Sequence, residues 1–417
     1  AYTFTYTTVG EIMAWIIGWD LILEMLMAGS VISKYWGVYL NDFMRLMGWN
    51  ANTNLTFGSF HIDIAPIIIV AFFTTLLVFG TKIGARVDGA MTVLKIAIVF
   101  FVVIVGFFYV KASNFTPFIP PSQPASTVEG SSAVTGVMTQ PLWQFATGMT
   151  PSVYGVPGIL SGAALVFFAF IGFDVVATAS EETKNPHKNV PLGIGVGMLL
   201  IIVMYMLVAV VTTGMVSYAD LAKQDSPSLA TAFELVGADW AAKIISFGIV
   251  LGLATVVMVL LLGLTRIVFA MSRDGLLPRG LSKTGKHGTP AALQIVVGAV
   301  VALVAAFFDI GVLSDMVNIG TLSAFTLVAI SIPIMRKKRP DLPRAFKMPG
   351  SPWIPILIAV ANFWLMLNLS VLTWIRFVVW LVVGFAIYFG YGYWHARLGK
   401  GDLTETLSAE TDKAVNG

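Results

Sequence analysis

The chain has 417 residues, 57% of them hydrophobic and only 11% charged, and its mean hydropathy is +0.85. A water-soluble protein of this length cannot hide that much apolar surface, so lipid is its main solvent. Having no cysteine, it is excluded from disulfide and thiolate chemistry, and a net charge of +3 names no partner in a chain where charge placement matters more.

A membrane span needs about 20 mostly apolar residues. Such segments are predicted at 9–33, 62–80, 88–110, 158–183, 190–216, 239–271, 291–308, 312–335, 353–371 and 375–396, which makes ten helices. The start shows no signal peptide with a basic leading region. Instead Ala1 opens directly into Tyr2, Phe4 and Tyr6, aromatics of the kind that settle at the headgroup level. Lysine and arginine gather on one side: Lys82 and Arg86, Lys184 and Lys188, Arg273 to Lys286, Arg336 to Lys347, then Arg397, Lys400 and Lys413. That side is expected to be cytoplasmic, which puts both termini of this chain in the cytoplasm. On the opposite side, 111–157 is a long loop rich in Pro, Ser and Thr whose composition predicts weak order.

Charges inside these spans each need a reason, because one at the bilayer centre costs roughly 2.5–3.5 kcal/mol on insertion scales. Asp20 and Glu24 stand four apart and share a face of the first span. They either line a cavity or make a polar contact between helices. Lys95 lies within "VDGAMTVLKIAIVFF", too deep for easy snorkelling. It either exchanges a proton or stretches to the interface. Arg266 lies near a helix end and reads as a snorkelling residue. The histidines His61, His187, His287 and His395 stand at or beyond the ends of apolar runs, which argues against a buried metal centre.

The fourth span, "AALVFFAFIGFDVVATASEETKNP", places Gly172 and Asp174 in the middle of an aromatic-rich helix. Irregular backbone at membrane depth is tolerated only where it lines a cavity or is buried in protein. Gly172 permits such an interruption. Asp174 could then cap the second half-helix, and the first half would end near Phe170 with free carbonyls suited to an ammonium or a cation. Two half-helices meeting at the midplane form a transporter's binding site. An intact helix with one tolerated glycine is the other reading.

Together, "GEIMAWIIGWDLILE", "FFAFIGFDVVATASEETKNP", "SRDGLLP", "NIGTL" and "RKKRPDLPRAF" resemble, in order, the motifs of the amino acid–polyamine–organocation transporters. The likeness is strongest to bacterial members similar to cationic amino acid transporters. It implies an all-α polytopic membrane protein of LeuT-type inverted-repeat fold that takes up amino acids by alternating access. It implies that carbonyls over Phe168, Ala169, Phe170, Ile171 and Gly172 receive the substrate's ammonium. Under the same resemblance Glu24 stands at the substrate cavity, Leu260 tunes side-chain size, and Lys95 carries proton coupling. The plan then divides the chain into 1–110, three helices of a first repeat; 111–157, the extracellular loop; 158–335, a second five-helix repeat with a broken first helix; 353–396, two trailing helices; and 397–417, a cytoplasmic tail. The resemblance implies five helices in the first repeat, and on that plan two are expected before Ala1.

The expectation is a proton-coupled amino acid permease of the cell membrane, working with substrate, proton and lipid bilayer. No cofactor, metal or nucleic acid is expected, and no G-x-x-x-x-G-K-[ST] sequence supports ATP-driven pumping. The alternatives are a transporter-derived sensor or docking protein, and an intramembrane enzyme, for which no clustered nucleophile and base is visible.

Overall fold

The computed structural model of the protein describes residues 11–49, 53–57, 60–80, 85–127, 136–172, 185–224, 227–285, 289–338, 348 and 350–396. Ala1 and the tail at 397–417 lie outside these residues. The first helix, α1 (Glu11–Leu46), places an acidic residue in its first turn and Arg45 in its last, each complementing the helix dipole. It continues well beyond the predicted end at 33. At about 1.5 Å per residue it is longer than a ~30 Å hydrocarbon core, so its polar end projects past the lipid. That polar end is held by contacts across the chain. Asn41 bonds Thr53, and Arg45 bonds Glu234 through both carboxylate oxygens at 2.8 and 2.9 Å.

A hairpin follows, β1 (Asn54–Phe57) and β2 (Phe60–Asp63), paired antiparallel from Asn54↔Asp63 to Phe57↔Phe60. The remaining long helices are α2 (Ile64–Val78), α3 (Ala85–Phe107), α5 (Gly155–Val166), α6 (Pro186–Met215), α9 (Asp239–Arg273), α10 (Ala291–Phe307), α11 (Ile310–Lys338), α12 (Trp353–Leu367) and α13 (Val371–Ile387). Short helices α4 (Leu142–Thr147), α7 (Tyr218–Ala222) and α8 (Leu229–Leu235) lie in the connections. Six of the helices are long and apolar enough to cross a membrane, and four shorter apolar ones accompany them. Fifteen-residue α2 and α12 reach only about 22 Å at 1.5 Å per residue, short of a ~30 Å core. The protein is a multi-pass membrane protein, and its ten apolar helices, among the described residues, follow the ten predicted segments.

Helix α1 is the centre of the bundle. It packs against α2, α9, α10, α11 and α13, and Trp15, Ile17, Leu23, Met25 and Val31 along it are buried. The other elements close against one another through small residues, the usual device where lipid removes the hydrophobic drive between helices. A Cβ at Gly298 of α10 would overlap Thr74 of α2, and one at Gly106 of α3 would overlap Val211 of α6. Helix α13 lies on α1 through an aromatic ladder: Trp19 stacks on Trp380 with ring centres 4.4 Å apart, and each indole N–H donates to the other's backbone carbonyl, at 2.9 and 3.3 Å. Gly384 makes room for this, because a Cβ there would overlap the Trp19 ring.

The loop expected to be weakly ordered is docked where it is described. Leu142 N–H donates to the Leu369 carbonyl, while Val371 and Leu372 N–H donate to Gln140 and Met138. Trp143 bonds Asn368 at 2.9 Å, and Gln123–Pro124 pairs with Ser152–Val153. These backbone bonds hold a Pro- and Ser-rich segment that has no core of its own.

Forcing a methyl group into the α1–α13 contact should therefore be costly. Gly384→Ala is expected to lower thermal stability in detergent, at a cost of about 1–3 kcal/mol for overpacking. Gly390→Ala, with open space at its Cβ, should not. Equal melting of the two variants in a fluorescence assay would refute the contact.

Candidate functional site

The residues predicted to form a site fall into two groups in the structure. The first surrounds the end of α5. Regular α-helix stops at Val166, Phe167–Phe170 form a 3-10 turn, and Ile171 is extended. Gly172 follows with φ of +108°, a conformation that glycine adopts without penalty. Asp174, with Glu181, Glu182 and Lys184, lies outside the described residues.

The end of α5 is braced from two sides. Tyr205 of α6 donates its hydroxyl to the Ala169 carbonyl at 2.6 Å, and its ring meets Phe170 edge-on at 5.3 Å. Asn318 of α11 donates to the Leu165 carbonyl at 3.1 Å, and Phe325 of α11 packs on Phe167. The Phe168 carbonyl takes the Ile171 N–H at 3.2 Å. Of the five carbonyls predicted to hold an ammonium, those of Phe168 and Ala169 thus already accept one bond each. A carbonyl has two lone pairs, so each keeps capacity for a second.

Glu24 is fully buried on α1. Its neighbour Leu23 shares an apolar cluster with Ala164 of α5 and Ile319 of α11, which brings the Glu24 turn to the end of α5. Asp20, also fully buried, accepts from Ser323 of α11 at 2.8 Å. Leu260 lies on α9 against Gly29 of α1, beside Val301 of α10. It is part of the main core.

Lys95 stands apart from this group. It sits on α3 and lines a pocket of about 180 Å³ with Ile98, Val102, Val208 and Val256. Its stem lies over Gly252 of α9, whose added Cβ would come within 3.2 Å of Lys95 Cγ. One turn on, Gly248 seats Ile98 in the same way. The Gly-x-x-x-Gly step in α9 is therefore the seat of α3.

Three polar arrangements have no counterpart in the predicted site. Asn318 belongs to the "NIGTL" stretch, but nothing local says that it reaches α5. Tyr205 is a single hydroxyl in an apolar run. Lys34, 9% exposed, pairs with Asp63 at the end of β2 and donates to the Ala305 carbonyl of α10 at 3.0 Å. Opposite charges at the ends of two consecutive spans were the available signal for that pair. Among the described residues no group of His, Asp and Glu is placed to hold a metal ion.

Residues 1–392 match the family model described as amino acid permease. The chain is 41% identical over 407 residues to the branched-chain amino acid permease BcaP of Bacillus subtilis, an alignment covering 96% of this chain and 80% of that protein. It is 37% identical over 405 residues to the methylthioribose transporter of the same organism, again covering 96% and 80%. It is 35% identical over 343 residues to the mitochondrial cationic amino acid transporter 3 of Arabidopsis thaliana, covering 81% of this chain and 51% of that one.

The brace on α5 can be tested without a substrate. Tyr205→Phe removes a hydrogen bond worth about 1 kcal/mol, and deuterium uptake by peptides covering 165–172 is expected to rise. Thr213→Val, which removes a hydroxyl bonded within α6 itself, should leave that uptake unchanged. Equal uptake in all three proteins would show that Tyr205 does not hold the turn.

Proposed function

This chain belongs to the amino acid permease family, and from that membership we propose that it is a secondary transporter of a neutral aliphatic amino acid, driven by protons through alternating access. The observation that carries the proposal is the loss of α-helical bonding at Phe167 to Gly172 inside an apolar segment. A helix end of this kind presents carbonyls with partial negative charge, which suits an α-ammonium. In this reading Phe168, Ala169, Phe170, Ile171 and Gly172 contact the substrate, Glu24 closes the cavity from α1, and Asp174 caps the second half-helix. Leu260 offers an aliphatic wall and gives a guanidinium no partner. The relative at 41% identity is named for branched-chain amino acids, which agrees with that choice.

Coupling is assigned to Lys95, a lysine among apolar side chains at membrane depth. Its amine is a basic group on α3 that can load and release a proton within a transport cycle. The arrangement is read as a LeuT-type inverted repeat in which 1–110 and 158–335 belong to the two repeats and 353–396 trail them, with both termini of this chain in the cytoplasm. The proton moving down its gradient supplies the free energy for substrate accumulation, and the different affinities of the two conformations for proton and substrate couple the two movements.

In proteoliposomes, labelled leucine and valine should accumulate under an inward proton gradient while arginine does not. Preference for arginine would overturn the substrate class, and no flux of any amino acid would overturn the transport reading. Gly172→Leu imposes a side chain on a left-handed backbone at a cost of about 1–3 kcal/mol, and substrate affinity is expected to fall. Wild-type affinity would remove the turn from the site. Lys95→Ala should abolish accumulation driven by the proton gradient while leaving substrate exchange measurable. Accumulation at the wild-type level would free Lys95 of that role.

A further inference from the structure

Asp20 of α1 is fully buried, and only one of its carboxyl oxygens is provided for. Oδ2 accepts from Ser323 Oγ at 2.8 Å. Oδ1 has no hydrogen-bond partner among the described residues. Its surroundings are packed side chains. Trp19 stacks on Trp380 at the preceding position, and Leu23 closes on Gly320, whose added Cβ would lie 3.2 Å from Leu23 and 3.6 Å from the Asp20 carbonyl.

The elements packed on α1 supply no opposite charge. α2 and α10 carry no ionisable residue. On α9, Asp239, Lys243, Arg266 and Arg273 are all exposed. On α11, Asp315 accepts from Thr373 of α13 at 3.0 Å, while Arg336, which donates to the Met348 carbonyl, and Lys337 and Lys338 after it lie more than three turns beyond Ser323. On α13, Arg376 acts on Asp315. Glu11 takes the hydroxyl of Tyr388 at 2.9 Å, two and a half turns before Asp20. On α1 itself, Glu24 lies one turn along and bears the same sign, while Lys34, nearly four turns along, is taken by Asp63 and the Ala305 carbonyl.

An ionised carboxylate offers about four acceptor sites. Here one neutral hydroxyl serves them, and burying a carboxylate so poorly solvated is severely unfavourable unless it is paired. A metal cation would need several oxygen ligands around it. A proton needs only one oxygen. We propose that Asp20 is a second proton-binding site of the carrier, filled while α11 lies against α1. The proton sits as an O–H on the carboxyl group. When water reaches Oδ1, that bond breaks heterolytically, the electron pair stays on the carboxylate and the proton passes to water. The inference deepens the transport reading, on which its place in the cycle rests, but the protonation itself does not depend on that reading.

Infrared spectroscopy on the full chain in lipid vesicles tests it. At neutral pH the carboxylic-acid C=O band should be present, should be lost in Asp20→Asn, and should survive in Glu24→Gln. In Ser323→Ala the band should persist at higher frequency, because its hydrogen bond is gone. A band untouched by Asp20→Asn would overturn the proposal. If Asp20→Asn does not fold, Ser323→Ala decides alone, and an unmoved band overturns it. Uptake is read separately: a lost band beside absent flux in the unaltered protein would keep Asp20 as a proton site and reject the transport reading.

Discussion

A peptide carbonyl inside hydrocarbon must find its donor in the protein, and this constraint organises the molecule around the end of α5. Once regular helix stops at Val166, the carbonyls nearby need partners from elsewhere in the chain. Tyr205 meets one from α6, and Asn318 meets another from α11. Two helices distant in sequence are thereby committed to the same turn. Helix α11 in turn lies on α1 through Gly320 and Leu23, so the position of α5 and the position of the buried acids on α1 are settled by one set of contacts.

Helix α1 shows the complementary side of the same physics. It is central, and so it can carry Asp20, Glu24 and Lys34 where a lipid-facing helix such as α6 could not. Lys34 obtains a carboxylate and a carbonyl, Asp20 a hydroxyl. The glycines of α9, α10 and α13 let neighbouring side chains sit directly on backbone, which draws the helices of the bundle into close contact.

The hydrophobic segments are legible in the sequence because lipid imposes a length and a composition on each of them. The interruption in the fourth is legible for a related reason: Gly172 followed by Asp174 is hard to accommodate in an uninterrupted apolar helix. The polar end of α1 was not. "SKYWGVYLNDFMRL" falls below any hydropathy threshold, yet it stays helical because Arg45, Asn41 and Lys34 bond residues from other segments. The hairpin at Asn54–Asp63 had a turn signal in Gly58 and Ser59 that hydropathy reading passes over. The docked loop had none, since its order comes from backbone bonds to residues 369–372. Asn318 and Tyr205 were invisible in their roles, because a side chain that serves a carbonyl more than thirty residues away leaves no periodic mark.

The mutual indole contact between α1 and α13 also gives the molecule an intrinsic optical reporter. Two stacked rings with centres 4.4 Å apart, and a third, Trp15, 5.5 Å from Trp19, are close enough for their ultraviolet transitions to mix. The resulting exciton signature depends on the angle between the rings rather than on their number. Any rearrangement that swings the trailing helix relative to the central one would thus register in the circular dichroism of the unlabelled protein.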